Sequence, residues 1–492
     1  MDRDRVIRTL AIAGAALLFF KYGLPKLTGE GEAPPPSATS ARAPIVNAPG
    51  FAPDAIDPPT VAGQPNAQPP EGQRCVVRGD RFEADLSSRG AAITHIRFSD
   101  RSYAVSATRD VSSTPDHERW RSLRTTFREA QADTQFKYDR FAWQVEPQRD
   151  PRTCTFTYAD ADVRVEKTIA AHAERPFELD VSTRITNLTS EARRHKYGIS
   201  AFAFRKNSEL KGSLGRVSPL QTELSCASGQ TVQRKSKDDL KQHPFSLSGV
   251  DRYASLNTLY FTQALVPLSG GPENIASGLR PDCELSIENW KLAAEASSDD
   301  SGAGLYQARL AYPAVELAPQ QSALYRDAAY FGPKERDILA HAAGGKANLL
   351  DVVNLGFFAP VAHILIKTLD GIHDYVTFGN WGIAVIVMTL ALRTLLFPLT
   401  YKSIQTTIAM RRLKPEVDAL NAKFADDAQA KNLAMMELWK KHGVNPFGGC
   451  LPQLVQMPVW FAMYTTLQNA VQMYHTHFLW FDDLSAPDKW FI

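Results

Sequence analysis

No Cys-x-x-Cys pair occurs among the five cysteines of this 492-residue chain (Cys75, Cys154, Cys226, Cys283 and Cys450). That absence excludes zinc ribbons and thioredoxin-like redox motifs, which need closely spaced thiols. There is no Walker loop, no Gly-x-Ser-x-Gly elbow and no His-Glu-x-x-His pair, and the 11 histidines show no ligand spacing. The motif-borne routes to nucleotide hydrolysis, α/β-hydrolase chemistry and zinc peptidase chemistry are therefore closed. A Ser/Lys membrane protease has no such motif, but no candidate pair stands out. Charge of one sign is also missing, with 55 basic residues against 53 acidic ones. A general nucleic-acid binder would be strongly basic, so no direct sequence-specific contact with nucleic acid is expected. The expectation is a protein that is not an enzyme and carries no metal or cofactor.

Length alone gives a prior of about three domains. The mildly polar mean hydropathy averages two unlike parts: residues up to about 345 are polar and punctuated, and those from about 350 hold long apolar runs. Arg3, Arg5 and Arg8 precede a short apolar run from Leu10 to Phe20. The run is either an uncleaved signal anchor over residues 1–25, with Lys21 snorkelling, or a cleaved signal. Both readings leave the arginines in the cytoplasm and export the chain beyond the run. Residues 26–74 form a tether, with eleven prolines between Pro34 and Pro70, too rich in proline to bury a core.

From 75 to 345 short alternating segments predict a β-sandwich. In FELDVSTRI, residues Phe177, Leu179, Val181 and Ile185 share one face, and AAITHIRF and ADVRVEKTI alternate similarly. Four cysteines fall in this exported part, either as buried thiols or as disulfides in any of three connectivities. Cys450 lies in an apolar segment and reads as a small apolar residue.

In residues 355–376, Val361, Ile364, Leu365, Leu369, Ile372 and Val376 form one stripe, with Lys367, Asp370 and Asp374 opposite. That pattern suits a helix in the membrane interface; a surface helix of the soluble domain is the alternative. Residues 379–400 predict a second span, flanked by Trp381 and Lys402, whose one charge is Arg393. Residues 444–474, without any Asp, Glu, Lys or Arg, predict a third span bent at Pro452 and Pro458. The intervening residues 401–443 are rich in Lys and Arg and read as cytoplasmic. Met410, Leu413, Val417, Leu420 and Phe424 make the seam of a helical hairpin there. It is either a self-packed connector or a docking arm displaying Arg411, Arg412 and Lys414.

A lone arginine at the centre of a span costs roughly 3 kcal/mol and is usually functional or partnered. Gly382, Thr389 and Thr400 fall within about 40° of Arg393 on the helix. On the third span Gln453, Gln456, Trp460 and Tyr464 make a comparable stripe. Two such stripes facing each other would enclose a wet cavity around Arg393. The alternative is that Arg393 snorkels to the cytoplasmic headgroups, which leaves Thr389 and Gln456 unexplained.

Three segments closely resemble the core of the bacterial YidC-type membrane protein insertases (the Oxa/Alb/YidC family): NWGIAVIVMTLALRTLLFPLTYKSIQTTIAMRRLKPEV, VNPFGGCLPQLVQMPVWFAMY and FLWFDDLSAPD. The order of parts is similar too, including the YFGPK that ends the β-rich domain. The resemblance implies a multi-pass protein of the bacterial inner membrane, N-terminus cytoplasmic, with a β-supersandwich-like periplasmic domain. It implies an insertase and chaperone that works without nucleotide hydrolysis, alone or with the Sec translocon. It puts the groove arginine on Arg393 and groove-facing polar positions on Thr389 and Gln456. The implied partners are nascent membrane proteins, the Sec translocon, the lipid bilayer, and the ribosome and targeting receptor through the hairpin. Family members continue past the LSAPD region with three further spans, whereas residues 475–492 only begin an outer loop, so a C-terminally truncated insertase, inactive alone, is expected. An envelope scaffold anchored by its spans is the alternative, and a carbohydrate-binding β-domain a third option.

Overall fold

In the computed structural model the chain forms two compact units, divided between Val353 and Asn354. The structure describes residues 72–486 apart from 104–119, 128–137, 139–141, 207–208, 211–217, 242, 273–277, 290–303, 425–426 and 444–450. The expected anchor and nearly all of the tether therefore lie outside the described residues, as does Cys450.

The first unit is the expected β-sandwich. Among the described residues its largest sheet has nine antiparallel strands, in the order 231–235, 223–228, 253–257, 261–272, 322–333, 178–187, 163–171, 153–159 and 144–145. Against one face of it lies a five-stranded sheet, ordered 245–247, 282–289, 304–311, 198–205 and 125–126. A three-stranded sheet (74–78, 82–87, 92–98) covers the other end of that face. Strand alternation fixes what the layers bury: Leu179, Val181 and Ile185 point inward with Val165 and Ile169. All four cysteines of this unit are paired. Cys75–Cys154 ties the three-stranded sheet to the large one, and Cys226–Cys283 ties the five-stranded sheet to it. Their sequence separations of 79 and 57 residues restrict the unfolded chain by about 4 kcal/mol each on loop-entropy grounds.

Where the two covering sheets meet, the core is polar. In VRVEKTI the inward parity falls on Lys167, which is fully buried. Its ammonium donates to Ala91 O (2.8 Å) and to Leu123 O, one carbonyl beside each covering sheet. Ala91 and Leu123 both hold left-handed backbone, with φ of 46° and 62°. Across the strands lies buried Asp327, which accepts from Tyr312 Oη (2.7 Å) and Tyr197 Oη (3.3 Å). Burial pushes the Asp327 carboxyl up to about 7 and the Lys167 ammonium down to about 7, and the charge of each holds the other against that shift.

The end of this unit is tied back to the large sheet. Buried Lys334 donates to Val352 O (3.2 Å). Arg252 donates to Ala347 O and Asn348 O, both at 3.0 Å, and pairs with Asp351. These bonds extend the unit to Val353 rather than to 345.

Among the described residues the second unit holds five α-helices: α1 (Ala359–Tyr375), α2 (Trp381–Arg412), α3 (Lys414–Lys423), α4 (Ala428–Lys441) and α5 (Leu451–Gln468). Asn380 caps α2 by accepting from Ile383 N (3.0 Å). With 32 residues α2 is roughly 48 Å long, so it outruns a 30 Å hydrocarbon layer. Residues 401–412, expected in the hairpin, instead continue this helix, because Pro398 lies within it without ending it. Among the described residues α2 is the one helix long and apolar enough to cross a membrane. The segment expected to be a third span has its helix at Leu451–Gln468, where glutamines lower the apolarity.

α1 buries Ala362, Leu365, Ile366 and Leu369, whereas Ile364 and Val376, expected on the same apolar stripe, are exposed. The difference has a cause: Phe358 stacks on Phe461 and Thr466 Oγ1 donates to Ala362 O, turning the Ala362 side toward α5. In the helical pair α3/α4, Leu413 is buried and Val417, Leu420 and Phe424 are half-buried. His442 Nε2 meets Glu416 Oε2 at 3.3 Å, and Asp427 caps α4.

Removing one member of a buried charged network costs about 3–5 kcal/mol, because the other is left uncompensated. Lys167→Met and Asp327→Asn are each expected to lose about that much in denaturant unfolding. The Lys167→Met/Asp327→Asn double variant should lose clearly less than the sum of the singles; additive losses would show that the two groups are not coupled.

Candidate functional site

The site is built on α2. Its residues 381–397 are almost wholly Ala, Ile, Leu, Val, Met, Trp and Phe, broken by Gly382, Thr389, Arg393 and Thr394. Arg393 lies twelve residues past Trp381, roughly 18 Å along the axis, a distance that would bring it near the middle of a hydrocarbon layer entered at Trp381.

The structure gives the predicted stripe two different ends. Gly382 is buried, and a Cβ on it would come within 2.2 Å of the Phe478 ring. Around it Leu369, Ala384, Met388 and Met473 form a core, with Trp381, Val385, Leu392, Met463, Leu467 and Leu484 packed against it. Thr389 is half-buried, while Arg393 and Thr400 are exposed. Among the described residues the stripe is thus covered where α2 begins and uncovered at Arg393 and Thr400.

Arg393 makes no hydrogen bond or ion pair with any other described residue. The threonines are satisfied locally: Thr389 Oγ1 donates to Val385 O (2.7 Å), Thr394 Oγ1 to Leu390 O (2.9 Å) and Thr400 Oγ1 to Leu396 O (3.0 Å). Each hydroxyl keeps acceptor capacity for a water or a peptide group.

On α5, Gln456 is half-buried and Trp460 and Tyr464 are 57% and 43% exposed. Gln453 belongs to α5, but its side chain is outside the described set. No hydrogen bond joins the α5 stripe to Arg393, Thr389 or Thr400 among the described residues. The two helices meet through Met388, Leu392, Met463 and Leu467 instead. Arg411, Arg412 and Lys414 are exposed where α2 gives way to α3. No group of His, Cys, Asp or Glu able to hold a metal occurs among the described residues.

Sequence reasoning missed Phe478. The available signal was Gly382 itself, the smallest residue on a stripe of otherwise polar side chains. It also missed Lys167 and Asp327, although strand alternation places both inward.

Two family models match the chain. One, described as the YidC periplasmic domain, covers residues 74–368, and the other, the 60Kd inner membrane protein, covers residues 372–492. The chain is 35% identical over 348 residues to the membrane protein insertase YidC of Anaeromyxobacter dehalogenans (strain 2CP-C), covering 70% of this chain and 58% of that protein. It is 42% identical over 184 residues to the membrane protein insertase YidC of Geobacter sp. (strain M21), covering 37% of this chain and 33% of that protein. The chain thus spans less than two thirds of these relatives. Among solved structures, a putative aldose 1-epimerase from Escherichia coli K12 aligns with 53% of this chain and 99% of its own, at 11% identity and a TM-score of 0.35. A galactose mutarotase related enzyme from Lactobacillus acidophilus aligns at 10% identity and a TM-score of 0.36, over 53% of this chain and 97% of its own. Likenesses this shallow carry nothing about chemistry.

Because no described residue pairs with Arg393, Arg393→Gln should leave thermal unfolding in detergent unchanged within about 0.5 kcal/mol. A loss of about 2 kcal/mol or more in the same measurement would reveal a structural partner.

Proposed function

We propose the function from one premise: the chain belongs to the YidC family of membrane protein insertases. Its β-sandwich is the family's periplasmic domain, and the two disulfides suit that oxidising compartment. With that domain outside, α2 crosses the inner membrane from the periplasmic side, so its start is the outer end. The pair α3/α4, with Arg411, Arg412 and Lys414 at its base, then lies in the cytoplasm, where a ribosome or targeting receptor has access to it.

The observation that carries the function is Arg393, exposed and without a bonding partner among the described residues, at mid-depth on a stripe closed at its outer end. A cation in that place is tolerable only if water reaches it, and the open direction is cytoplasmic. A hydrated, positive notch shortens the apolar barrier that a polar segment must cross. It attracts a short acidic stretch of a newly made membrane protein, which is passed outward as the apolar span beside it partitions into lipid. Thr389, Thr400 and Gln456 offer hydrogen bonds to the peptide in transit, with Gly382, Gln453 and Tyr464 at the margins. The work comes from burial of the substrate's own apolar surface, about 25 cal/mol per Å², so no nucleotide or other cofactor is needed. Handing substrates on from the Sec translocon uses the same notch. The scaffold alternative leaves Arg393 without a purpose.

A photo-crosslinker at Thr389 or Gln456, in the natural protein, tests this with ribosomes stalled on a single-span substrate bearing a short acidic outer segment. Crosslinks to the nascent chain are expected, and they should vanish when the substrate's apolar span is replaced by a polar one. Arg393→Lys should keep most insertion and Arg393→Glu should abolish it for the acidic substrate. Lipid-only adducts, with insertion insensitive to Arg393, would return the arginine to snorkelling and the protein to a scaffold.

A further inference from the structure

We propose that the ring of Phe478, seated on Gly382, is the outer seal of this groove. The inference rests on the groove reading above and adds the part that closes the groove toward the outside. Gly382 shares its helical face with Thr389, Arg393 and Thr400, and the Phe478 ring occupies the space a side chain there would fill: an added Cβ meets three ring atoms at 2.2 to 2.6 Å. Only glycine lets the ring approach the helix so closely.

The ring is delivered by a loop that is held from several sides. Phe478 and Phe481 exchange two backbone hydrogen bonds, both 2.9 Å, and Leu484 N donates to Thr476 O at 3.0 Å. Asp483 Oδ1 accepts from His475 N (3.0 Å), Ser485 N (2.7 Å) and Ser485 Oγ (2.6 Å). His475 and Leu479 keep left-handed backbone, with φ of 52° and 53°, which non-glycine residues hold only when their surroundings enforce it. Leu484 packs on the core that contains Ala384 and Met388. At the loop's tip Leu479 and Trp480 are 61% and 66% exposed, an apolar pair suited to the membrane–water interface. A strained, pinned loop with an interfacial tip and one inward ring has the construction of a plug.

The next residue on the stripe, Thr389, lies two turns below, roughly 10 Å along the helix. Truncating Phe478 removes a ring's volume, enough for about three waters, and opens the stripe to the outer face. Phe478 is a positioning residue in this scheme, since it closes the path without touching the substrate at Arg393.

The test places a cysteine at Thr389 in the natural protein, in its own membrane, with Cys450→Ser; the other four cysteines are already paired. A membrane-impermeant maleimide is added from outside to spheroplasts and from the cytoplasmic side to inverted vesicles. With Phe478 intact, Thr389→Cys should react from the cytoplasmic side only. Phe478→Ala should raise the outside rate at least tenfold and leave the cytoplasmic rate within twofold, while Phe478→Leu stays nearly sealed. An outside rate unchanged by Phe478→Ala, with cytoplasmic labelling intact, overturns the seal and leaves the groove standing. Labelling from neither side in any variant overturns the groove and the seal with it. If Phe478→Ala fails to accumulate, Phe478→Leu and Phe478→Val carry the same test; an outside rate independent of side-chain size overturns the proposal.

Discussion

A guanidinium surrounded by hydrocarbon costs roughly 3 kcal/mol on insertion scales and several times that for an isolated helix. On the insertase reading proposed above, the helical unit answers the need to avoid that cost. α2 is apolar enough to cross a membrane, yet it carries Arg393 at mid-depth with no bonding partner among the described residues. A salt bridge would remove the cost by neutralising the charge, and it would also remove the charge from use. Keeping Arg393 unpaired requires water, and water requires a face that is polar and open on one side. Among the described residues the packing is consistent with both demands: the Phe478 ring covers Gly382 at the start of the stripe, beside the core of Ala384, Met388 and Met473, and the stripe itself is exposed at Arg393 and Thr400. Thr389 and Thr400 on this face bond to their own helix, and no interhelical hydrogen bond to them occurs among the described residues.

The β-sandwich solves a different problem with related chemistry. Two small sheets share one face of a nine-stranded sheet, and the seam between them is the weak point of such a core. Lys167 bridges that seam through two backbone carbonyls, and Asp327 with its tyrosines supplies the compensating charge and dipoles. Each disulfide fastens one of the small sheets to the large one. Charge is buried here beside bonding partners, whereas on α2 Arg393 is exposed and has none among the described residues.

Much of this was legible in the sequence, and what was not has physical reasons. The parity of FELDVSTRI and ADVRVEKTI is a local property, so the strands at 178–187 and 163–171 follow from it directly. The same parity points Lys167 inward, but its carbonyl partners lie 76 and 44 residues away, beyond any local pattern. Disulfide partners were open for the same reason: they depend on which sheet faces which. The stripe Gly382–Thr389–Arg393–Thr400 was visible from the helical period alone. Its division into a closed and an open end was not, because closure comes from Phe478, 96 positions beyond Gly382. Periodicity locates the apolar stripe of α1 but not how much of it a neighbouring helix covers: Leu365 and Leu369 are buried, Ile364 and Val376 exposed.

The central claim is that water, rather than lipid or a protein partner, surrounds Arg393 inside the membrane. Water-edited solid-state NMR of the natural protein in bilayers measures this directly, through the rate at which magnetisation from mobile water reaches assigned side chains. Rapid transfer to Arg393, Thr389 and Gln456 together is the predicted result, because a hydrated groove wets all three. Rapid transfer to Arg393 alone, with Thr389 and Gln456 dry, would mean that the arginine reaches the headgroups and would contradict the groove.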